Sequence, residues 1–152
     1  MISRGIEDEI LPTVRELGIG ITAYGVLSRG LLSGHWSARR ELPASDFRAY
    51  APRFQRGNVE RNLELVEALR DIADERGATV AQVAIAWVLA RGEEIVPVIG
   101  ARRRDRLHEA LGALELRLDD DALARIEDAV PQGAAAGDRY NEHAMAQLDS
   151  ER

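Results

Sequence analysis

The stretch Gly18-Ile19-Gly20-Ile21-Thr22-Ala23-Tyr24-Gly25-Val26-Leu27-Ser28-Arg29-Gly30-Leu31-Leu32-Ser33-Gly34 reads as an apolar strand running into a glycine-studded loop. Residues 19–24 are short, apolar and partly β-branched, the composition of a parallel strand buried on both faces. Just upstream, Ile6, Ile10, Leu11, Val14 and Leu17 recur at helical spacing. Glu7, Asp8 and Glu9 fall in the first turn of that helix, where its dipole favours anions, and Gly18 is the natural stop. Downstream, residues 25–57 show no clear periodicity. A connection of that length inside a compact domain is functional or disordered, and Trp36, Phe47, Tyr50 and Phe54 indicate that this one packs.

The remainder alternates in the same way. A helix is expected over residues 58–76 on a stripe of Val59, Leu63, Val66, Leu69 and Ile72, ended by Gly77. Thr79 should cap a second helix with Val80, Val83, Ala84, Trp87 and Val88 facing inward, as far as Gly92. Residues 95–99 form another buried-type strand, and Gly100 turns the chain into a helix over residues 103–114. Asp119 opens a last helix to Ala129, stopped by Pro131, and residues 132–152 form a weakly periodic tail. Helices alternating with parallel strands make an α/β domain, but two strands cannot close such a sheet.

Composition narrows the chemistry. The 152 residues contain 20 basic side chains, all of them arginine, so an amine that could form a Schiff base or act as a tunable acid is absent. Without cysteine there is no disulfide, thiolate ligand or thiol nucleophile. A net charge of −6 argues against a nucleic-acid partner. Neither a membrane span nor a secretory leader is readable, which leads to the expectation of a soluble cytoplasmic protein. His35, His108 and His143 lack metal-ligand spacing, so no metal site is expected. The run Asp119-Asp120-Asp121 suits a cap and first-turn charge better than an ion site.

The strongest chemical signal is Ile99-Gly100-Ala101-Arg102-Arg103-Arg104-Asp105, in which a strand end turns at glycine into an arginine-rich helix start. It is either an anion site, built from free N–H groups, the helix dipole and forked guanidiniums, or a solvated helix start. It is not a G-x-G-x-x-G fingerprint, and the Walker pattern needs a lysine. Ser28 and Ser33 lie outside any G-x-S-x-G elbow. Tyr24, ending a strand and opening a loop, either presents its ring to a planar ligand or is a core tyrosine with a satisfied hydroxyl.

Taken together, residues 18–34, the segment Asp46-Phe47-Arg48, the stretch Ile95-Val96-Pro97-Val98-Ile99-Gly100-Ala101-Arg102-Arg103 and residues 107–126 resemble, in order, the C-terminal half of an aldo-keto reductase. The resemblance implies the last part of a (β/α)8 TIM barrel, strands 7 and 8 with their helices, and so an incomplete barrel. The chain is then one partial domain, with residues 25–57 as a long cofactor-clamp loop. The implied cofactor is NADP(H), consistent with the phosphate sites that such barrels often place after strands 7 and 8.

On this resemblance, Tyr24 stacks on the nicotinamide ring, and Gly25, Leu27, Ser28, Arg29 and Gly30 line the pyrophosphate mainly through backbone. Arg48 clamps it across the loop. Gly100, Ala101, Arg102 and Arg103 surround the 2′-phosphate, while Arg106 and Glu109 serve the adenine end. His35 stands where many members carry a lysine, and Ala110 where many carry an asparagine. The family's catalytic Asp, Tyr, Lys and His lie on earlier strands, and neither Tyr50 nor Tyr140 replaces the tyrosine without its partners. No catalytic residue is therefore assigned, and a carbonyl substrate is expected only when the missing half is supplied.

The expected function is the NADPH-binding portion of a reductase of aldehydes and ketones, inactive alone. The alternative is a non-catalytic NADPH-binding or interaction module that pairs with another half-barrel. Open strand edges make self-association possible in either case. The tail segment Gly137-Asp138-Arg139-Tyr140 is expected near the pocket.

Overall fold

The computed structural model describes residues 1–148. A 3-10 turn at Gly5–Glu7 precedes helix α1 (Ile10–Glu16), which leads into strand β1 (Ile21–Tyr24). Three further 3-10 turns follow, at Ser28–Ser33, Phe47–Tyr50 and Pro52–Phe54. The chain continues through α2 (Asn58–Glu75), α3 (Val80–Leu89), β2 (Ile95–Val98), α4 (Arg104–Gly112), α5 (Asp120–Ala129) and α6 (Glu142–Met145). No helix among the described residues is long and apolar enough to cross a membrane.

The first helix begins later than its apolar spacing suggests, and Pro12 supplies the reason. A proline ring clashes with the carbonyl four residues back, here that of Asp8, so Pro12 is tolerated only in the first turn. The helix therefore starts at Ile10 and residues 5–7 form a separate turn. Gly18, at φ +65°, ends it as expected, and the Ile19 amide donates back to the Val14 carbonyl at 2.8 Å.

β1 and β2 pair in parallel, with Ile21 opposite Ile95 and Tyr24 opposite Val98. Their burial differs from the reading of both as fully covered strands. Ile95 is buried and Ile21 and Ala23 half-buried on one face, whereas Thr22, Tyr24, Val96 and Val98 are exposed on the other. The apolar composition was legible, but burial on both faces requires a second layer, and the helices cover only one side.

α3 lies at the centre of that helical layer, packed by α2, α4, β2 and the Ser28–Ser33 turn, and it is buried almost all round. Thr79 caps it as expected: the Thr79 side chain accepts from the Gln82 amide, and Gln82 returns a bond to the Thr79 amide. Asp119 likewise caps α5 by accepting from the Ala122 amide at 2.9 Å. Val66, Leu69 and Ile72 of α2 complete the core, together with Ile126 and Val130. Burying each of the larger side chains stabilises the fold by roughly 1.5–3 kcal/mol.

Two polar networks at the core's edge carried no sequence signal. Arg4 is buried, forks onto Glu7 at 2.9 and 2.7 Å, and also bonds Glu127. Glu127 accepts from Trp87 Nε1 at 3.0 Å and from Arg91 at 2.7 Å, which ties the first residues to α3 and α5. Asn62, fully buried on α2, donates to the carbonyls of Arg53 and Ala136 and accepts from the Ala136 amide.

Candidate cofactor site

Parallel pairing fixes the geometry of the site. With Tyr24 opposite Val98, both chains leave the sheet at the same end, one into residues 25–57 and the other through Gly100 into α4. In α/β barrels that carboxyl end is where ligands bind.

The first segment is pinned at one end and strained at the other. Leu31 and Leu32 are fully buried and fix the Ser28–Ser33 turn to the core. Just before them, Ser28 and Arg29 have φ values of +46° and +59°, followed by Gly30 at +95°. Left-handed backbone costs an ordinary residue roughly 1–2 kcal/mol, so neighbouring contacts must hold Ser28 and Arg29 there. Several do. The Gly30 amide donates to the Leu27 carbonyl at 2.9 Å, and Arg48 Nη1 donates to the Arg29 carbonyl at 3.2 Å.

Arg48 is itself held in place. Its Nε and Nη2 fork onto the Asp46 carboxylate, whose Oδ1 also accepts from the Arg48 amide at 3.0 Å. The Arg48 guanidinium beside Asp46 brings the carboxyl pKa down to about 2. The guanidinium also lies 4.9 Å from the centre of the Trp36 ring, and Trp36 meets Phe54 edge-on at 4.7 Å. Trp36 and Phe54 of the long loop thus pack, but Phe47 and Tyr50, expected to pack with them, are exposed.

Tyr24 is 60 % exposed, so it is not a core tyrosine. Its hydroxyl lies 3.3 Å from that of Tyr140, and the Arg139 guanidinium sits 4.7 Å above its ring. The shared hydrogen bond pushes the Tyr24 phenol up and the Tyr140 phenol down, so the two hydroxyls titrate as one linked pair. Tyr24, Gly25, Ser28 and Arg29 border a cavity of about 370 Å³ whose mouth also carries Arg139 and Tyr140. A neighbouring shallow depression is lined by Arg29, Asp46, Phe47 and Arg48 among others. The tail therefore does approach the pocket.

The second segment is α4 and its approach. Gly100 is exposed and has open space around it, with Ala101 half-buried beside it. Arg102 and Arg104 are exposed and carry no ion pair among the described residues. Arg103 forks onto Asp105 at 2.9 and 2.8 Å. Arg106 donates to Glu109 at 2.8 Å and also contacts His35 Nε2, so the long loop touches α4. The arginines of this segment stand beside the positive end of the α4 dipole, an arrangement that favours anions. Leu27 alone among the expected residues packs against the core, and its carbonyl accepts from the Gly30 and Leu32 amides.

Comparison with known proteins agrees with this geometry. The sequence model described as the Aldo/keto reductase family matches residues 1–131. The chain is 41 % identical over 138 residues to a probable aldo-keto reductase 1 of Glycine max, and 37 % identical over 131 residues to the Schizosaccharomyces pombe aldo-keto reductase yakc [NADP(+)]. It covers 40 % and 38 % of those proteins, while 91 % and 86 % of the chain takes part. It also superposes on the glycerol dehydrogenase AKR11B4 of Gluconobacter oxydans with a TM-score of 0.78 at 31 % identity, covering 84 % of this chain and 38 % of that one. The two-stranded unit is therefore an α/β segment matching part of a family barrel.

Proposed function

Because the chain belongs to the aldo/keto reductase family, we propose that its residues form the NADP(H)-holding, C-terminal portion of such a reductase. On this reading β1 and β2 take the places of strands 7 and 8, residues 25–57 are the cofactor clamp, and residues 132–152 are the tail of one partial domain. The observation that carries it is the shared exit of the two strands. It puts a strained, glycine-bearing turn and a helix start with two arginines outside any ion pair among the described residues at one end of the sheet.

The residues present suit that group. Tyr24 offers a broad aromatic face, and the backbone of Gly25, Leu27, Ser28, Arg29 and Gly30 can approach a pyrophosphate, with Arg48 across the loop. Gly100 and Ala101 leave room for a 2′-phosphate beside Arg102 and Arg103, and Arg106 and Glu109 serve the adenine end. Of the arginines, Arg102 is the more available, because Arg103 already shares its charge with Asp105. The name of the S. pombe relative carries NADP(+), which supports the choice of cofactor.

When bound, the cofactor supplies the hydride for carbonyl reduction. The side chains here bind and orient it. The proton must come from elsewhere, because the family's tyrosine depends on a lysine and these 152 residues contain none. Reduction of an aldehyde or ketone is therefore expected only when the remaining strands are supplied.

Fluorescence titration tests the reading. NADPH emission should change saturably and at lower concentration than NADH, and Arg102→Ala should weaken NADPH roughly tenfold or more, the usual effect of losing one charged hydrogen bond. Indifference to both cofactors would overturn it.

A further inference from the structure

Five planar groups stand in sequence beside the strained turn. The Arg29 guanidinium lies 5.0 Å from the centre of the Phe47 ring and 4.4 Å from that of Tyr140. Arg139 lies 5.3 Å from Tyr140 and 4.7 Å from Tyr24. The order is Phe47, Arg29, Tyr140, Arg139, Tyr24, with aromatic and guanidinium planes alternating. Each cation faces ring surfaces, where the quadrupole attracts it. Two direct bonds reinforce the ladder: Arg29 Nη1 donates to the Arg139 carbonyl at 2.7 Å, and the hydroxyls of Tyr24 and Tyr140 share a hydrogen at 3.3 Å.

The tail does not reach this place by chance collapse. Ala136 is gripped by the buried Asn62 through both its amide and its carbonyl. One residue on, the Gly137 carbonyl accepts from Arg53 at 3.3 Å. Gly137 adopts φ +80°, and a Cβ there would lie 2.8 Å from the Pro52 carbonyl oxygen, so only glycine lets the tail pass so close. Arg139 and Tyr140 are thus delivered to the ladder by an anchored path.

We propose that Arg139 and Tyr140 act as a clasp that positions the Ser28–Gly30 turn for cofactor binding. This rests on the preceding reading of the site and adds to it a role for two tail residues. Arg29 sits in a left-handed conformation whose carbonyl is held by Arg48 and whose side chain is held by the clasp. Removing the Tyr140 ring takes away one wall of the Arg29 sandwich and the hydroxyl contact to Tyr24. The turn then samples other conformations before it can present its backbone to a pyrophosphate. Among the described residues, α4 shares none of the hydrogen bonds or ring contacts that build the ladder, so the adenine end should be indifferent.

That asymmetry gives the test. NADPH and adenosine 2′-phosphate are titrated against the whole chain, its Tyr140→Ala variant and its Tyr140→Phe variant, with melting curves run alongside. The clasp predicts that Tyr140→Ala raises the Kd for NADPH roughly fivefold, between the ranges for exposed and desolvated cation–aromatic contacts. It predicts an unchanged Kd for adenosine 2′-phosphate, and Tyr140→Phe close to the parent for both ligands. Unchanged NADPH binding in Tyr140→Ala would overturn the clasp. So would equal weakening of both ligands, which signals general loss of structure, or a Tyr140→Phe defect as large as that of Tyr140→Ala. If adenosine 2′-phosphate fails to bind the parent chain, the cofactor reading falls, and the clasp's role falls with it.

Discussion

Asp46 shows how a single carboxylate can set the direction of a cation that a loop could not hold alone. It accepts from the backbone and the guanidinium of Arg48 at once, and so aims Arg48 Nη1 at the Arg29 carbonyl. The same contacts make a pH prediction. Because the folded pKa is depressed to about 2, the contribution of this pair is fully present above the ordinary Asp range and disappears only as pH falls through about 2. Carboxyl NMR titration should give Asp46 a midpoint near 2, returning towards the ordinary aspartate value in Arg48→Ala; a normal midpoint in the parent would show that the pair does not form. Arg102 was legible through its place after Gly100 at a helix start, whereas Arg48 was singled out only by the family resemblance, since no glycine or periodicity marks it in the sequence. The partners of Tyr24 were only half legible. The approach of residues 137–140 could be anticipated, but stacking between guanidiniums and rings has no periodicity to betray it.

Among the elements, α2 does more than bury an apolar stripe. Its Asn62 carries three hydrogen bonds across the core to Arg53 and Ala136, joining the end of the long loop to the tail. Asn62→Ala would take the Asn62 partner from the half-buried backbone groups of Ala136 and from the Arg53 carbonyl, and open a small cavity, at a cost of about 1–3 kcal/mol. Chemical denaturation should show the midpoint falling accordingly, and a loss under 0.5 kcal/mol, the size of an ordinary surface substitution, would contradict the assigned role. Helices α2 and α5 and the start of α3 were readable to within about a residue, because Gly77, Thr79 and Asp119 mark those ends chemically, whereas α3 stops at Leu89, short of the expected Gly92. Asn62 was not, since a polar residue inside a helical pattern reads as solvated until its partners, up to 74 positions away, are known. The start of α1 was misplaced for a different reason: hydrophobic spacing outweighed the steric effect of Pro12.

At the scale of the whole molecule, the sheet is the unfinished part. Two strands with one covered face leave Thr22, Tyr24, Val96 and Val98 exposed, with one open edge on each strand. A sheet of this kind gains stability by pairing with further strands, either those of its own barrel or a second copy. The chain spans about 40 % of the length of the curated relatives it matches, which is in keeping with that open face. Strand composition could not reveal which faces are covered, because buried and coverable strands use the same residues. What the molecule does present in finished form is the carboxyl end of the sheet, the proposed cofactor site, with the two exits side by side. The direct test is an amide correlation spectrum of the labelled chain recorded during titration with NADP+. The account predicts saturable shifts at residues 25–30 and 100–106, with little change at the amides of α5. Absence of saturable shifts, or shifts confined to surfaces away from both exits, would contradict it.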